Sequence, residues 1–260
     1  MTDDADTPAT LTPWERLRHY TDARIALGRV GTSLPTRELL NFNAAHAAAR
    51  DAVHAPGSFA ELKTQLLALN LPFLELRSCA AHRSEYLRRP DLGRRLSAES
   101  RAQLEALPLG PPPDILIMVS DGLSAVAADT NAGAVLTQLV PALLERGYTL
   151  APVLLAAQAR VALADEAAEL LGARLALHLI GERPGLSSPN SLGAYLTYGP
   201  RVGMLDSGRN CVSNIRPAGL SAPAAVHRLL YLVGEALRRQ LSGVELKDES
   251  GDGRPALPPG

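Results

Sequence analysis

Between Ile180 and Ile215 the chain reads IGERPGLSSPNSLGAYLTYGPRVGMLDSGRNCVSNI, and its unusual chemistry is concentrated there. An apolar run ending at Ile180 stops in Gly181, Glu182 and Arg183, and Pro184 with Gly185 then forbids simple continuation of a strand or helix. A strand that runs into a rigid polar loop is where α/β proteins commonly hold ligands, because the loop carries free backbone donors while the sheet fixes its root. Glu182 reads as a general base, as an acceptor for a ligand hydroxyl or amide, or as an ion-pair partner within the loop. Cys211 follows Arg209 and Asn210 but has no local histidine to depress its thiol pKa. It therefore reads as a small, polarizable contact residue rather than a nucleophile.

Elsewhere the reactive residue types are scattered. His178 lies inside an apolar run, which suits a buried structural imidazole. No G-x-G-x-x-G stands between a predicted strand and helix; the first predicted strand ends instead in Ser120-Asp121-Gly122-Leu123-Ser124, with a single glycine. Neither a Walker motif, nor H-E-x-x-H, nor a paired-cysteine metal site occurs, so metal binding by protein side chains is not expected. With no acid-base pair or triad, no catalytic residue is assigned to this chain.

The elements that must position the loop follow from periodicity and punctuation. Asp114 to Ser120 is a continuous apolar run suited to a strand buried on both faces, and a helix follows through Val135 to Arg146. Further strands are predicted at Tyr148 to Leu155, Leu175 to Ile180 and Leu192 to Tyr198, with helices at Leu163 to Leu171 and Ala222 to Gln240. This alternation predicts an α/β fold with a Rossmann-like, mostly parallel sheet flanked by helices. Ahead of it, Thr12, Pro13 and Glu15 predict a helix to about Leu27, Arg37 to His54 a second, and Ser58 with Glu61 a capping box for a third. A fourth spans Ser97 to Leu107, and PLGPPP from Pro108 punctuates the chain. The organisation expected is a disordered N-terminus (1–11), a helical N-terminal arm (12–110), an α/β ligand-binding domain (111–246) and a disordered tail (247–260).

Between the third and fourth helices the chain is rich in arginine: Arg77, Arg83, Arg88, Arg89, Arg94 and Arg95. That segment reads either as a solvated loop or as a docking site for an acidic partner or a phosphate. The formal charge of -1 argues against a nucleic-acid surface as the main purpose, and no apolar run is long enough to span a bilayer. Two cysteines in 260 residues make a disulfide scaffold implausible and suit a reducing cytoplasm.

With these stretches in view, the chain resembles the small subunit of ethanolamine ammonia-lyase. The likeness is carried by TDARIALGRVG from Thr21, YLRRPDLGRRL from Tyr86, VSDGLS from Val119, GERPGL from Gly181 and RNCVSNI from Arg209. What the resemblance implies is a subunit of an adenosylcobalamin-dependent lyase that converts ethanolamine to acetaldehyde and ammonia by radical chemistry. The large subunit, a barrel, would hold the substrate and the catalytic residues; the small subunit would cover the cobalamin from the other side. Several large/small pairs would form a hetero-oligomer, in the cytoplasm or in a bacterial microcompartment. The family's cobalamin contacts carry over to Val161, Glu182 and Cys211, although Ala159 stands where the family commonly has glycine. His178-Leu179-Ile180-Gly181 also matches half of D-x-H-x-x-G, the motif with which some cobalamin enzymes supply a histidine to cobalt. Ala176 occupies the aspartate position, which fits a cobalamin that keeps its own dimethylbenzimidazole. The competing expectation, from the alternating architecture alone, is a self-sufficient Rossmann-like enzyme acting on a nucleotide or sugar.

Overall fold

The computed structural model describes residues 14, 17, 18, 20, 21, 23–108 and 110–251. In chain order its elements are α1 (Thr36–His54), α2 (Ala60–Ala68), β1 (Phe73–Arg77), α3 (Arg83–Arg88), α4 (Ala98–Glu105), β2 (Ile115–Ser120), α5 (Ala125–Glu145), β3 (Val153–Ala157), α6 (Leu163–Leu171), β4 (Leu175–Gly181), β5 (Leu192–Tyr198), β6 (Arg209–Ile215) and α7 (Ala222–Arg239). The expected disordered ends, 1–11 and most of 247–260, lie outside the described residues, as do residues 12, 13, 15, 16, 19 and 22 of the first expected helix. Ala23 to Leu27, its described end, is not helical.

The six strands form one sheet in the order β1-β3-β2-β4-β5-β6. Every residue of β2 and β4 is buried, as their unbroken apolar sequences require of strands covered on both faces. Pairing is parallel from β1 through β4 and antiparallel from β4 to β6. The expected Rossmann-like, mostly parallel sheet is thus corrected to a mixed α/β sheet. The reason is connection length: residues 182–191 and 199–208 are too few for a helical crossover, so β5 and β6 must each fold back beside the preceding strand. Two strands were not expected at all. β1 comes from the arginine-rich part of the expected helical arm, and β6 contains Cys211.

Helices cover both faces. On one side α2, α5 and α7 pack on the sheet; α7 contributes Val226, Leu229, Leu232, Val233, Ala236 and Leu237 at helical spacing. On the other, Leu104 of α4 packs with Leu163, Ala167 and Leu171 of α6. Each fully buried leucine contributes about 1.5 to 3 kcal/mol. Helix α2 starts differently from the capping-box expectation. Phe59 takes a left-handed conformation with φ of 50°, and the carboxylate of Asp129 on α5 accepts from its amide at 3.0 Å. The cap is supplied by a neighbouring helix instead of by Ser58.

The arginine-rich segment is more than a bare solvated loop. Arg95 and Arg101 both reach the buried carboxylate of Glu166 on α6, and Glu166 also accepts from the Leu96 amide at 3.0 Å. Arg83 pairs with buried Asp121 at 3.1 Å. A second buried pair anchors β6, where Arg209 donates to Asp165 at 2.6 Å and to Thr197 at 3.0 Å. Removing one member of such a pair strands its partner's charge, at about 3 to 5 kcal/mol, whereas replacing both with apolar groups is far less damaging. In urea unfolding, Arg209→Met is therefore expected to destabilise the chain by about 3 kcal/mol, and Asp165→Leu combined with Arg209→Met to restore most of that. A double variant no better than the single would contradict this account.

Candidate functional site

Strand β2 feeds α5 on one face of the sheet, and β3 feeds α6 on the other, so the chain changes direction at the C-terminal ends of β2, β3 and β4. Crevices open at such switch points because the outgoing loops diverge. Here the crevice is a cavity of about 440 Å³ lined by residues that include Tyr86, Arg160, Val161, Gly181, Glu182 and Tyr195. Its floor depends on two glycines. Gly122, at φ of +50°, lies so close to Gly181 that a Cβ would come within 2.2 Å of the Gly181 carbonyl oxygen. The Leu123 amide donates to that same oxygen at 2.9 Å. The loop after β4 is pinned to α5: Ser124 donates to the Pro189 carbonyl at 2.8 Å and Asn131 to that of Asn190 at 2.8 Å. A larger groove of about 820 Å³, lined in part by Trp14, Leu17, Ile25 and Leu34, offers arginines but, among the described residues, no acid, hydroxyl or thiol.

Of the residues singled out from sequence, Val161 and Glu182 line the cavity together. Val161 is held by His178, whose ring is 1% exposed. His178 Nδ1 lies 3.1 Å from the Val161 carbonyl oxygen and Nε2 lies 2.7 Å from Ser120 Oγ. The assignment that satisfies both is Nδ1–H donating to the carbonyl and the Ser120 hydroxyl donating to Nε2. Both nitrogens are thereby used inside the protein. Glu182 forms no ion pair among the described residues. Its Oε2 accepts from the Ser191 hydroxyl at 2.5 Å and from the Asn214 amide at 3.2 Å. Asn214 holds that amide in place from a left-handed backbone, φ of 60°.

Cys211 is placed one residue behind the cavity wall. It is the register partner of Tyr195 across β5 and β6. Partial desolvation pushes its thiol pKa up, the Glu182 carboxylate adds to this, and a bond with the Tyr195 hydroxyl opposes it. A thiol so placed stays protonated near neutrality and is a poor nucleophile. Sequence reasoning missed Tyr86 and Arg160. Tyr86 is fully buried, donates to the Ala159 carbonyl at 2.9 Å, and has two guanidiniums over its ring, from Arg83 at 4.9 Å and Arg160 at 4.4 Å. Arg160 immediately precedes α6 at the end of the β3 connection, so the switch-point rule was the signal that could have found it. Among the described residues no group of three or more His, Cys, Asp or Glu is placed to hold a metal ion, and no helix is long and apolar enough to cross a membrane.

This site lies within a sequence match to the ethanolamine ammonia-lyase light chain family that runs over residues 11–247. The chain belongs to that family. Ethanolamine ammonia-lyase small subunits similar to it include that of Azotobacter vinelandii, 56% identical over 94% of this chain and 91% of the relative. That of Ralstonia nicotianae is 54% identical over 95% and 94%, and that of Pseudomonas syringae pv. tomato 53% identical over 96% and 88%. The chain is thus similar to an ammonia-lyase small subunit from end to end, and every residue lining the cavity falls inside the matched region.

Burial sets the titration of two groups beneath the cavity in opposite senses. Desolvation raises the Asp121 carboxyl from its ordinary 3.8 to about 6, against the pull of Arg83 and the amides of Ala159, Gln158 and Gly122. Desolvation also lowers His178 from 6.5 to about 4, against its bond to Val161. Between these limits the folded chain keeps a proton on Asp121 that the unfolded chain has released, so this group's contribution falls as pH rises towards 6. The unfolded chain instead binds a proton at His178 that the folded ring refuses, so that contribution falls as pH drops from 6.5 towards 4. The two slopes oppose each other. His178→Gln is expected to leave a stability that declines from pH 4 to 6, and Asp121→Asn one that climbs over the same range, both read from urea midpoints. Slopes of the same sign in the two variants would refute the assignment.

Proposed function

We propose that this chain forms one wall of an adenosylcobalamin site that a large subunit completes, in a hetero-oligomeric ethanolamine ammonia-lyase that converts ethanolamine to acetaldehyde and ammonia. The observation that carries the reading is the composition of the cavity. It offers a carboxylate at Glu182 held by the Ser191 hydroxyl, a guanidinium at Arg160 and apolar wall at Val161 and Ile180. That is equipment for holding a ligand. A self-sufficient enzyme acting on a nucleotide or sugar is not favoured by the family to which the chain belongs.

The residues present fit a corrinoid. Its rim is a ring of amide side chains, which need acceptors for N–H and donors for C=O. Glu182, with both of its recorded hydrogen bonds on Oε2, supplies the first, and Arg160, whose buried Nε lacks a partner, the second. His178 has both nitrogens committed within the chain, so it would not ligate a bound metal. When bound, the group supplies radical chemistry through its cobalt–carbon bond. Val161 would pack on it, positioned through the carbonyl that His178 holds, and Cys211 with Tyr195 would close the flank at β6. The substrate and the groups that act on it are assigned to the large subunit.

In the complex co-purified with its large subunit, Glu182→Ala is expected to weaken cobalamin binding about tenfold, or about 1.4 kcal/mol, read by absorbance titration. The thermal midpoint should stay close to that of the unmodified complex. Unchanged affinity, or an affinity loss that merely tracks lost stability, would remove Glu182 from the site. A large subunit that releases acetaldehyde equally well without this chain would overturn the reading as a whole.

A further inference from the structure

We infer that Arg160 is an additional ligand contact, donating from its guanidinium to an acceptor oxygen of the bound corrinoid; this rests on the cobalamin reading above. Four observations converge on it. Arg160 lines the cavity between the wall at Tyr86 and the residue next to it, Val161. Its Nε is buried without a hydrogen-bond partner, and among the described residues no carboxylate pairs with it. The remaining recorded bond, from Nη2 to the Tyr86 carbonyl, is long at 3.4 Å. A buried Nε left without an acceptor is costly unless something outside the chain completes it.

The side chain is also built into place. Its stem runs over Gly93, where a Cβ would meet both Arg160 Cγ and the Tyr86 ring at 2.9 Å, so only glycine admits the stem there. The Arg160 amide donates to the Gly93 carbonyl at 2.8 Å, and the guanidinium rests on the Tyr86 ring. Arg83, the other guanidinium near that ring, bonds to Asp121, Gly122 and the Val53 carbonyl, although its Nη2 has no partner. Of the two cations near Tyr86, Arg83 thus has a carboxylate partner in the chain, and Arg160 has none among the described residues. Arg183, exposed on the rim, adds a second positive charge against the single acid Glu182. The acceptor oxygen is either an amide carbonyl of the corrin rim or the phosphodiester of the nucleotide loop.

The test is an absorbance titration of the large/small complex with hydroxocobalamin and, separately, with dicyanocobinamide, which lacks the nucleotide loop. Arg160→Gln is expected to weaken cobalamin binding by about tenfold or more while still co-purifying with the large subunit. The same loss with cobinamide identifies the amide carbonyl, and a loss confined to cobalamin identifies the phosphodiester; either supports the inference. An Arg160→Gln complex with unchanged affinity for both corrinoids overturns the inference while leaving the cobalamin reading intact. An unmodified complex that binds neither overturns both. Should Arg160→Gln fail to assemble, Arg160→Lys decides, because lysine keeps the charge but cannot reproduce the fork: affinity equal to the unmodified complex would count against a directed donor.

Discussion

The ion pair between Arg83 and Asp121 is the interaction on which the arrangement of this molecule depends. Asp121 sits at the C-terminal end of the central strand β2, 3% exposed, and its carboxylate accepts from Arg83 and from the Ala159 amide. Arg83 also reaches the Val53 carbonyl near the end of α1 and the Gly122 carbonyl beside the cavity floor. One guanidinium thus joins the N-terminal helices, the loop after β3 and the loop after β2. The burial that makes the pair directional also makes it fragile, since a charge taken out of water depends on its partner being present.

The polar groups around the cavity are satisfied in a way that separates holding from reacting. His178 has a partner on each nitrogen and a pKa pushed down to about 4, so it neither carries a positive charge at neutral pH nor has a free lone pair to offer. Cys211 is held as a thiol beside Tyr195. Glu182 is fixed by a hydroxyl and a backbone amide, which orient the carboxylate. Groups with this degree of constraint make good contacts and poor proton shuttles.

Much of the sheet was legible because burial on both faces leaves a plain trace. ILIMVS and LALHLIG permit little besides buried strands, α6 was bounded at Leu163 and Leu171 by periodicity and Gly172, and β5 matched from Leu192 to Tyr198. What failed did so for physical reasons. β6 is an edge strand whose burial follows no clean alternation, and a register shift near Leu192 and Ala194 breaks the pattern further. β1 is a short edge strand, FLELR, within arginine-rich sequence, so nothing in its composition set it apart. Within the site, Glu182 and Cys211 announced themselves through loop chemistry, and Val161 only through family likeness. Tyr86 and Arg160 were invisible because they meet across 74 positions of chain, a contact that the tertiary fold alone creates.

The stacked ring of Tyr86 has a thermodynamic consequence. The two guanidiniums over it belong to different parts of the chain: Arg83 comes from the same short helix, and Arg160 from the connection between β3 and α6. A ligand that engages Arg160 favours the docked position of Tyr86, and with it the seating of α3 and Gly93 against the sheet. By reciprocity, whatever stabilises that seating raises the affinity for the ligand by the same factor. Any contact made on the surface of α3 therefore acts on the cavity wall without touching it, and the seating of that helix and the affinity of the cavity become two readings of a single equilibrium.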